Sequence, residues 1–187
     1  MSNLPSQPAP LSLLEVFRRF PATARPLIAY HEALMRGPSE LSVSERELIA
    51  AYVSGLNACA YCHGVHASTA EAFGVPLSTL SAALEDLATA PVDGKLRPIL
   101  AYAGRLTREP SRIRPQDVDA VYAAGWSEAA LHDAVSVCAL FNMMNRLVDG
   151  LGVSAEAGYL AMSGARLHDG GYAGLLPLLG PEPAAGA

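Results

Sequence analysis

The sequence contains few charged residues and almost no lysine. Charged residues make up 17% of the 187 residues, Lys95 is the only lysine, and the formal net charge is -5. A protein that binds nucleic acid neutralises phosphates with clusters of lysine and arginine. Because no such cluster is available, we expect no nucleic-acid partner.

The chain also lacks a long apolar run and a leader-like N-terminus. Its first residues, MSNLPSQPAPLSLL, contain neither a positively charged region nor an apolar stretch of the signal-peptide type. No later segment reaches the roughly 20 apolar residues needed to cross a bilayer. We therefore expect a cytoplasmic protein with no membrane partner.

Cysteine is scarce as well, with three residues in all. In a reducing compartment, a close pair such as Cys59 and Cys62 is more often catalytic, redox-active or metal-binding than a structural disulfide. The third cysteine, Cys138, lies within an apolar run and is predicted to be a core residue.

No segment alternates apolar and polar residues as a strand does, so the predicted fold class is all-α. Amphipathic segments predict helices over 11–20, 22–35, 43–56, 59–73, 77–87, 95–107, 116–124 and 127–151. Ser42 and Glu45 form a capping-box pattern before the third of them. A weak similarity between the two halves of the chain indicates duplicated helical hairpins. The predicted organisation is a flexible arm over 1–10, one helical domain over 11–176 and a flexible tail over 177–187.

One segment, ELIAAYVSGLNACAYCHGVH at 47–66, combines an acid, two cysteines and two histidines with side chains that are otherwise apolar or small. Protein interiors rarely contain so many titratable groups unless the groups are paired or used. On a helix, Cys59 and Cys62 are one turn apart, and His63 and His66 each follow one of them by four residues. All four side chains are therefore expected to project from one face.

This spacing suits the cysteine pair to reversible disulfide formation. Helical Cα atoms three residues apart are separated by roughly 5 Å, within the ~4.4–6.8 Å that a disulfide tolerates. So short a loop removes almost no entropy from the unfolded chain, which makes stability a poor reason for the bond. A helix N-terminus and a neighbouring base can lower a cysteine pKa from about 8.5 to about 7. His66 is placed to take the proton, and Glu47 would orient the imidazole if the two helices pack together.

Three other interpretations of these residues stay open. CAYCH is also the attachment pattern of haem c, although that attachment normally requires export. The side chains of Cys59, Cys62, His63 and His66 have the chemistry of zinc ligands, although ligands on one helical face surround a metal only with distortion. The third interpretation is that both cysteines are inert core residues.

The remaining histidines are predicted to lie on helix surfaces or ends with no role in a site: His31, His132 and His168. Three polar residues follow an apolar run, and a helix cap or a subunit contact is at least as well supported for them as a substrate role: Asn142, Asn145 and Arg146.

The pattern of Glu47, then CAYC at 59–62, then His66 resembles the core motif of the AhpD-like alkylhydroperoxidases in the carboxymuconolactone decarboxylase superfamily. The longer run ERELIAAYVSGLNACAYC at 45–62 is similar to the peroxidase-related branch of that superfamily, as are FNMMNR at 141–146 and GLGV at 150–153. The best-studied members have histidine directly before the second cysteine. This chain has Tyr61 there and His63 directly after it.

The resemblance implies an all-helical fold and roles for the residues of the motif. Cys62 would match the cysteine that attacks the peroxide and becomes a sulfenic acid, and Cys59 the proton donor that resolves it to a disulfide. His66 and Glu47 would match the proton relay. Tyr61 and His63 would be supporting residues.

The resemblance also implies partners. Members of the family form homo-oligomers, often trimers or hexamers, and some are reduced by lipoylated proteins or serve a peroxiredoxin partner. We therefore expect a thiol-dependent hydroperoxide reductase with an antioxidant role, needing a dithiol reductant but no metal or organic cofactor. The alternatives are a non-catalytic, redox-responsive interaction protein and a carboxymuconolactone-decarboxylase-like enzyme. The first would form the disulfide without turnover, and the second has no obvious use for two adjacent thiols.

Overall fold

The computed structural model describes residues 2–6 and 10–181, and these ranges contain nine α-helices, two 3₁₀ helices and no strand longer than the single bridge between Leu11 and Val153. The α-helices are α1 Leu13–Arg19, α2 Pro21–Arg36, α3 Val43–Leu56, α4 Ala60–Ala72, α5 Leu77–Asp86, α6 Arg97–Arg108, α7 Pro115–Ala123, α8 Glu128–Leu151 and α9 Ala157–Gly170. The 3₁₀ helices are Pro110–Arg112 and Ala173–Leu179. The predicted all-α fold is confirmed.

The helices α1 to α8 are those predicted, with ends that differ by two residues or fewer. The capping box is present before α3: Ser42 N–H donates to Glu45 Oε2 at 2.7 Å, and Ser42 Oγ accepts from Glu45 N–H at 3.2 Å. These two bonds satisfy N–H groups that have no partner inside the helix. They fix the start of α3 at Val43, as the sequence indicates.

Helix α9 was missed by the sequence analysis, which assigned no element to 157–170. Its glycines weaken the helical signal, because glycine costs roughly 1 kcal/mol relative to alanine inside a helix. One of them, Gly164, has a packing role: a Cβ there would lie 2.6 Å from Ser68 Cβ and 3.0 Å from the backbone nitrogen of Thr69. The close approach of α9 to α4 therefore compensates for the weak local propensity of the segment.

The central helix of the fold is α3. Every residue from Arg46 to Ser54 is buried, and the helix packs against α4, α6 and α8. A helix that is covered on all sides has no solvent face for its polar residues. Glu47 is consequently held inside the protein, where a carboxylate needs partners.

The turn between α3 and α4 sends the chain back on itself. Ala58 lies in the left-handed region, with φ at 56°, and Cys59 N–H donates to Ser54 O at 3.0 Å. After the turn, α4 runs antiparallel to α3. As a result His66 lies opposite Glu47, and His63 lies opposite Ala51.

The second half of the chain does not contain the duplicated hairpin that the sequence predicts. Helix α8 runs without a break for 24 residues, from Glu128 through Asn142 to Leu151. No residue within it adopts the left-handed conformation that Ala58 provides after α3, and the first left-handed residue is Gly152, at its end.

Parts of the predicted N-terminal arm and C-terminal tail make contacts with the rest of the fold. In the segment predicted as a flexible arm, Asn3 N–H donates to Leu151 O at 3.0 Å. At the other end, the 3₁₀ helix reaches three residues into the predicted tail, because Leu179 is buried and Leu178 O accepts from Arg18 Nε at 2.7 Å. The rest of these two predictions, residues 1, 7–9 and 182–187, lies outside the described residues. None of the helices in the described ranges combines the length and apolar character needed to span a membrane.

Candidate functional site

The structure joins Glu47 of α3 to His66 of α4. Glu47 Oε2 accepts a hydrogen bond from His66 Nδ1 at 2.8 Å, and the carboxylate is 0% exposed. With Nδ1–H directed to the carboxylate, Nε2 of His66 carries the lone pair of the neutral ring. The predicted contact between the acid and the imidazole is therefore present, and it fixes which ring nitrogen is available to a ligand.

Two residues that the sequence analysis missed hold the other oxygen of Glu47. Arg36 Nη1 donates to Oε1 at 2.7 Å, and the Tyr172 hydroxyl donates to the same atom at 3.1 Å. Burial alone would raise the pKa of Glu47, but the hydrogen bonds and charges of His66 and Arg36 outweigh it and bring the pKa below its ordinary value. Glu47 is thus an anion inside the protein.

Arg36 and Tyr172 carried no recognisable signal in the sequence. Arg36 ends α2 and also donates to Leu167 O at 3.0 Å, while its guanidinium lies 4.9 Å from the centre of the Tyr172 ring. Tyr172 follows α9, and burial raises its pKa well above the ordinary value, so it keeps its proton. Both reach Glu47 from distant parts of the chain, which local spacing does not reveal.

The two cysteines lie at the start of α4, as predicted. Cys59 is the N-cap residue and Cys62 follows in the first turn, and both are free and buried. A hydrogen bond from the Cys62 thiol lowers the pKa of Cys59, burial opposes the effect, and the backbone N–H of Cys62 strengthens it. The same side-chain contact, together with burial, raises the pKa of Cys62.

At the N-cap position the Cys59 sulfur lies where the unpaired N–H groups of a helix favour an anion, which agrees in direction with the lowered pKa of Cys59.

Cys62 and His66 line one cavity of about 80 Å³. One water needs roughly 10–15 Å³ measured in this way, so the cavity has room for a small organic molecule. Its other lining residues are mainly apolar or aromatic: Leu13, Leu14, Phe17, Ile28, His31, Tyr61, Val65, Phe141, Met144, Tyr159, Ser163, Arg166, Leu167, Tyr172 and Leu175. Leu14, Tyr159 and Arg166 also line an adjoining outer groove.

The two supporting residues of the motif have different positions. His63 Nδ1 is hydrogen-bonded to Ala51 O at 3.0 Å, which directs that edge of the ring toward the backbone of α3. Tyr61 lines the cavity and lies 6.4 Å from Tyr159 between ring centres. Burial raises the pKa of Tyr61, so it remains a neutral phenol.

The predicted surface position of His31 is wrong. It was expected on a helix surface, yet it is 5% exposed and lines the same cavity as Cys62. The face of α2 that carries Ile28 and Met35 is the buried one, and His31 lies on that face. By contrast, the side chain of His132 is 76% exposed, as expected.

Asn142 and Asn145 of α8 make contacts across the fold and do not cap a helix, whereas Arg146 is hydrogen-bonded to Asn142 within α8. Asn57 Nδ2 donates to Asn145 Oδ1 at 2.8 Å, and Asn145 Nδ2 donates to Ser54 Oγ at 3.0 Å. Asn142 Oδ1 accepts from the same Asn57 amide at 3.1 Å. These bonds tie α8 to the turn that precedes the cysteines. Cys138 is a core residue, as predicted, and its thiol donates to Ala103 O at 3.4 Å.

The donors considered for zinc are not brought together. Within residues 2–6 and 10–181, no three side chains of histidine, cysteine, aspartate or glutamate are grouped closely enough to hold a metal ion.

The fold and these contacts define a class: an all-α protein whose central helix presents a buried glutamate to a histidine and a Cys-x-x-Cys pair on the next helix. Residues 21–103, which include α3 and α4, match the carboxymuconolactone decarboxylase family. This match and the structural relatives described next make the chain similar to the carboxymuconolactone decarboxylase family and to peroxidase-related proteins with an AhpD-like core.

Two solved structures are similar in fold. One, an uncharacterized peroxidase-related protein from Silicibacter sp. TM1040, is 27% identical, with a TM-score of 0.73 over 79% of this chain and 78% of the other. The second is an uncharacterized peroxidase-related protein from Ralstonia eutropha JMP134, described as an alkylhydroperoxidase AhpD core. It is 22% identical, with a TM-score of 0.72 over 80% of this chain and 78% of the other. The comparison with curated proteins gives no match.

Proposed function

We propose that the protein is a thiol-dependent reductase of organic hydroperoxides. One observation carries the proposal: Cys62 and the Glu47-oriented His66 line the same small, largely apolar cavity, with Cys59 in contact with Cys62 behind it. A thiol, a base and an apolar pocket are the three parts that thiol reduction of an alkyl hydroperoxide needs.

In the first step the Cys62 sulfur attacks the terminal oxygen of ROOH, and its thiol proton passes to His66 Nε2. The O–O bond breaks, and the departing RO⁻ takes the proton from His66 to leave as the alcohol ROH. Cys62 becomes a sulfenic acid. The carboxylate of Glu47 stabilises the imidazolium during the transfer, and Arg36 keeps that carboxylate ionised.

In the second step Cys59, as its thiolate, attacks the Cys62 sulfur and displaces hydroxide, which takes up from solvent a proton equivalent to the one that Cys59 released and becomes water. The position of Cys59 at the helix N-terminus suits this role, because its thiolate is the one that the local N–H groups favour. An external dithiol, free or on a lipoylated protein, then reduces the disulfide and is itself oxidised. The subunit count and a peroxiredoxin partner stay predictions.

The experiment is steady-state reduction of tert-butyl hydroperoxide with dihydrolipoamide as the dithiol, for the wild type and three single serine variants. We expect C62S to abolish turnover, C59S to support at most one turnover, and C138S, a matched buried thiol outside the site, to retain activity. Equal activity in C62S and the wild type would refute the proposal.

The same assay separates the alternatives. A redox-responsive interaction protein would form the disulfide once and show no sustained peroxide consumption. A lactone-processing enzyme would show no dependence on Cys59 and no peroxide consumption.

A further inference from the structure

The cavity contains a second imidazole to which neither the motif nor the proposed mechanism gives a role. His31 Nδ1 is hydrogen-bonded to Leu27 O at 2.8 Å. A carbonyl only accepts, so Nδ1 carries the proton and Nε2 of the neutral ring carries a lone pair. Among the described residues none is hydrogen-bonded to that nitrogen, and it is not among the fully enclosed polar atoms that lack a partner. Nε2 therefore has access to the space that His31 lines.

His31 and His66 share the same aromatic neighbours. The His31 ring lies 5.1 Å from Tyr172 and 6.1 Å from Phe141 between ring centres, and the His66 ring lies 6.4 Å and 4.4 Å from the same two rings. Both imidazoles thus lie against the same two rings, in the cavity that Cys62 also lines.

The protonation state of His31 suits it to accept a hydrogen bond and not to donate a proton as an acid. Burial lowers the pKa of His31 to about 4, and the nearby His66 contributes in the same direction, although the Leu27 carbonyl and Glu47 oppose them. Near neutral pH the ring is therefore uncharged. The Nε2 lone pair, which has access to the cavity and no hydrogen-bond partner among the described residues, is available to a ligand hydroxyl.

We propose that His31 Nε2 accepts a hydrogen bond from the O–H group of the molecule in the cavity, so that the site selects hydroperoxides and alcohols over ethers and dialkyl peroxides. The role in peroxide reduction rests on the proposed function, whereas recognition of a hydroxyl does not. In the reaction, this bond holds the terminal oxygen of ROOH toward Cys62, and the proton that completes the alcohol still comes from His66.

Two variants of His31 distinguish the effect of its hydrogen-bond acceptor from the effect of its side-chain shape. H31F fills similar space without an acceptor, and H31Q restores an acceptor through its amide oxygen. H132F changes an exposed histidine in the same way and serves as the control. The alkylation rate of the cysteines by iodoacetamide reports whether the Cys59–Cys62 pair is intact in each variant.

The first measurement is binding, and it requires no turnover. In protein labelled with ¹⁵N-histidine, tert-butanol should shift the Nε2 resonance of His31, and methyl tert-butyl ether, which lacks the O–H, should not. Equal shifts with both compounds, or no shift with either, would overturn the proposal. A selective shift in a protein that reduces no peroxide would leave this inference standing and reject the proposed function alone.

The second measurement is kinetic. H31F should lower kcat/KM for tert-butyl hydroperoxide by about 10-fold, the value of one neutral hydrogen bond, with an unchanged alkylation rate, and H31Q should recover part of the loss. If H31F keeps kcat/KM within about twofold of H132F, or if H31F and H31Q lose activity equally together with cysteine reactivity, His31 has no such role.

Discussion

Glu47 Oε2 and His66 Nδ1 lie 2.8 Å apart across two antiparallel helices that a left-handed Ala58 joins. The bond connects residues 19 positions apart in the sequence, and Arg36 holds the opposite oxygen of the carboxylate. A buried anion between a cation and an imidazole makes the stability of the fold depend on the same residues as the proposed chemistry. Predictions about either can therefore be tested on one set of variants.

Removing the charge of Glu47 should affect both stability and reactivity. E47Q leaves Arg36 largely buried without its anion, which we expect to lower the free energy of unfolding by roughly 3 kcal/mol. It also removes the negative charge that stabilises the imidazolium form of His66, so peroxide reduction should fall by about 100-fold. Urea unfolding and steady-state kinetics measure the two effects. Glu85 is exposed on α5, and E85Q should change neither, within roughly 0.5 kcal/mol.

Arg36 and Glu47 should be coupled in a double-mutant cycle. R36M leaves the Glu47 carboxylate buried without its cation, so it should lower the free energy of unfolding roughly as much as E47Q does. The double variant R36M/E47Q should lower it by less than the sum of the two single changes. Additive losses, measured by urea unfolding at pH 7, would mean that the 2.7 Å ion pair contributes no net interaction.

Stability should fall in mild acid because of His31. Its pKa is about 4 in the folded protein against 6.5 as the ordinary value. The unfolded chain therefore binds the proton first, and the stabilisation that is present above pH 6.5 is lost as the pH falls toward 4, by up to about 3 kcal/mol. Glu47 has a lowered pKa, so its own contribution is lost only below its ordinary value of 4.5.

Urea unfolding of the wild type and H31F between pH 7 and pH 4.5 tests this window. The free energy of unfolding of the wild type should fall more steeply with acid than that of H31F, and H132F should follow the wild type. Parallel curves for the wild type and H31F would show that His31 is not buried as a neutral ring.

Two glycines of α9 should respond in opposite directions to the same substitution. G164A places a Cβ 2.6 Å from Ser68 Cβ and should destabilise the protein by about 1–3 kcal/mol. G158A meets no atom within 4 Å and should gain about 0.5 kcal/mol from helix propensity. Thermal unfolding of the pair checks whether the contact between α4 and α9 is as close as described. Equal effects would contradict it.

The sequence predicted those features that depend on neighbours within a few turns. The capping box of Ser42, the break after Asn57 and the start of α4 at the cysteines follow from local chemistry, and the acid–imidazole contact follows once two consecutive helices pack together. The contributions of Arg36, Tyr172 and His31 could not be predicted in this way. Each reaches the site through tertiary contacts, and no local spacing marks them.

Which of the two cysteines is the N-cap residue could not be predicted, for a related reason. Helical spacing places Cys59 and Cys62 one turn apart, but it does not decide which of them is the N-cap residue. The left-handed turn at Ala58 makes Cys59 that residue. That position agrees in direction with the lowered pKa of Cys59.

The central claim is that Cys59 and Cys62 are a peroxide-oxidised pair, and a thiol count with peptide mapping tests it most directly. Of the three free thiols of the reduced protein, two should be lost after one equivalent of tert-butyl hydroperoxide, with a disulfide between Cys59 and Cys62 and an unmodified Cys138. A dithiol should restore all three. Three thiols remaining after peroxide treatment, or a modification that maps to Cys138, would contradict the claim.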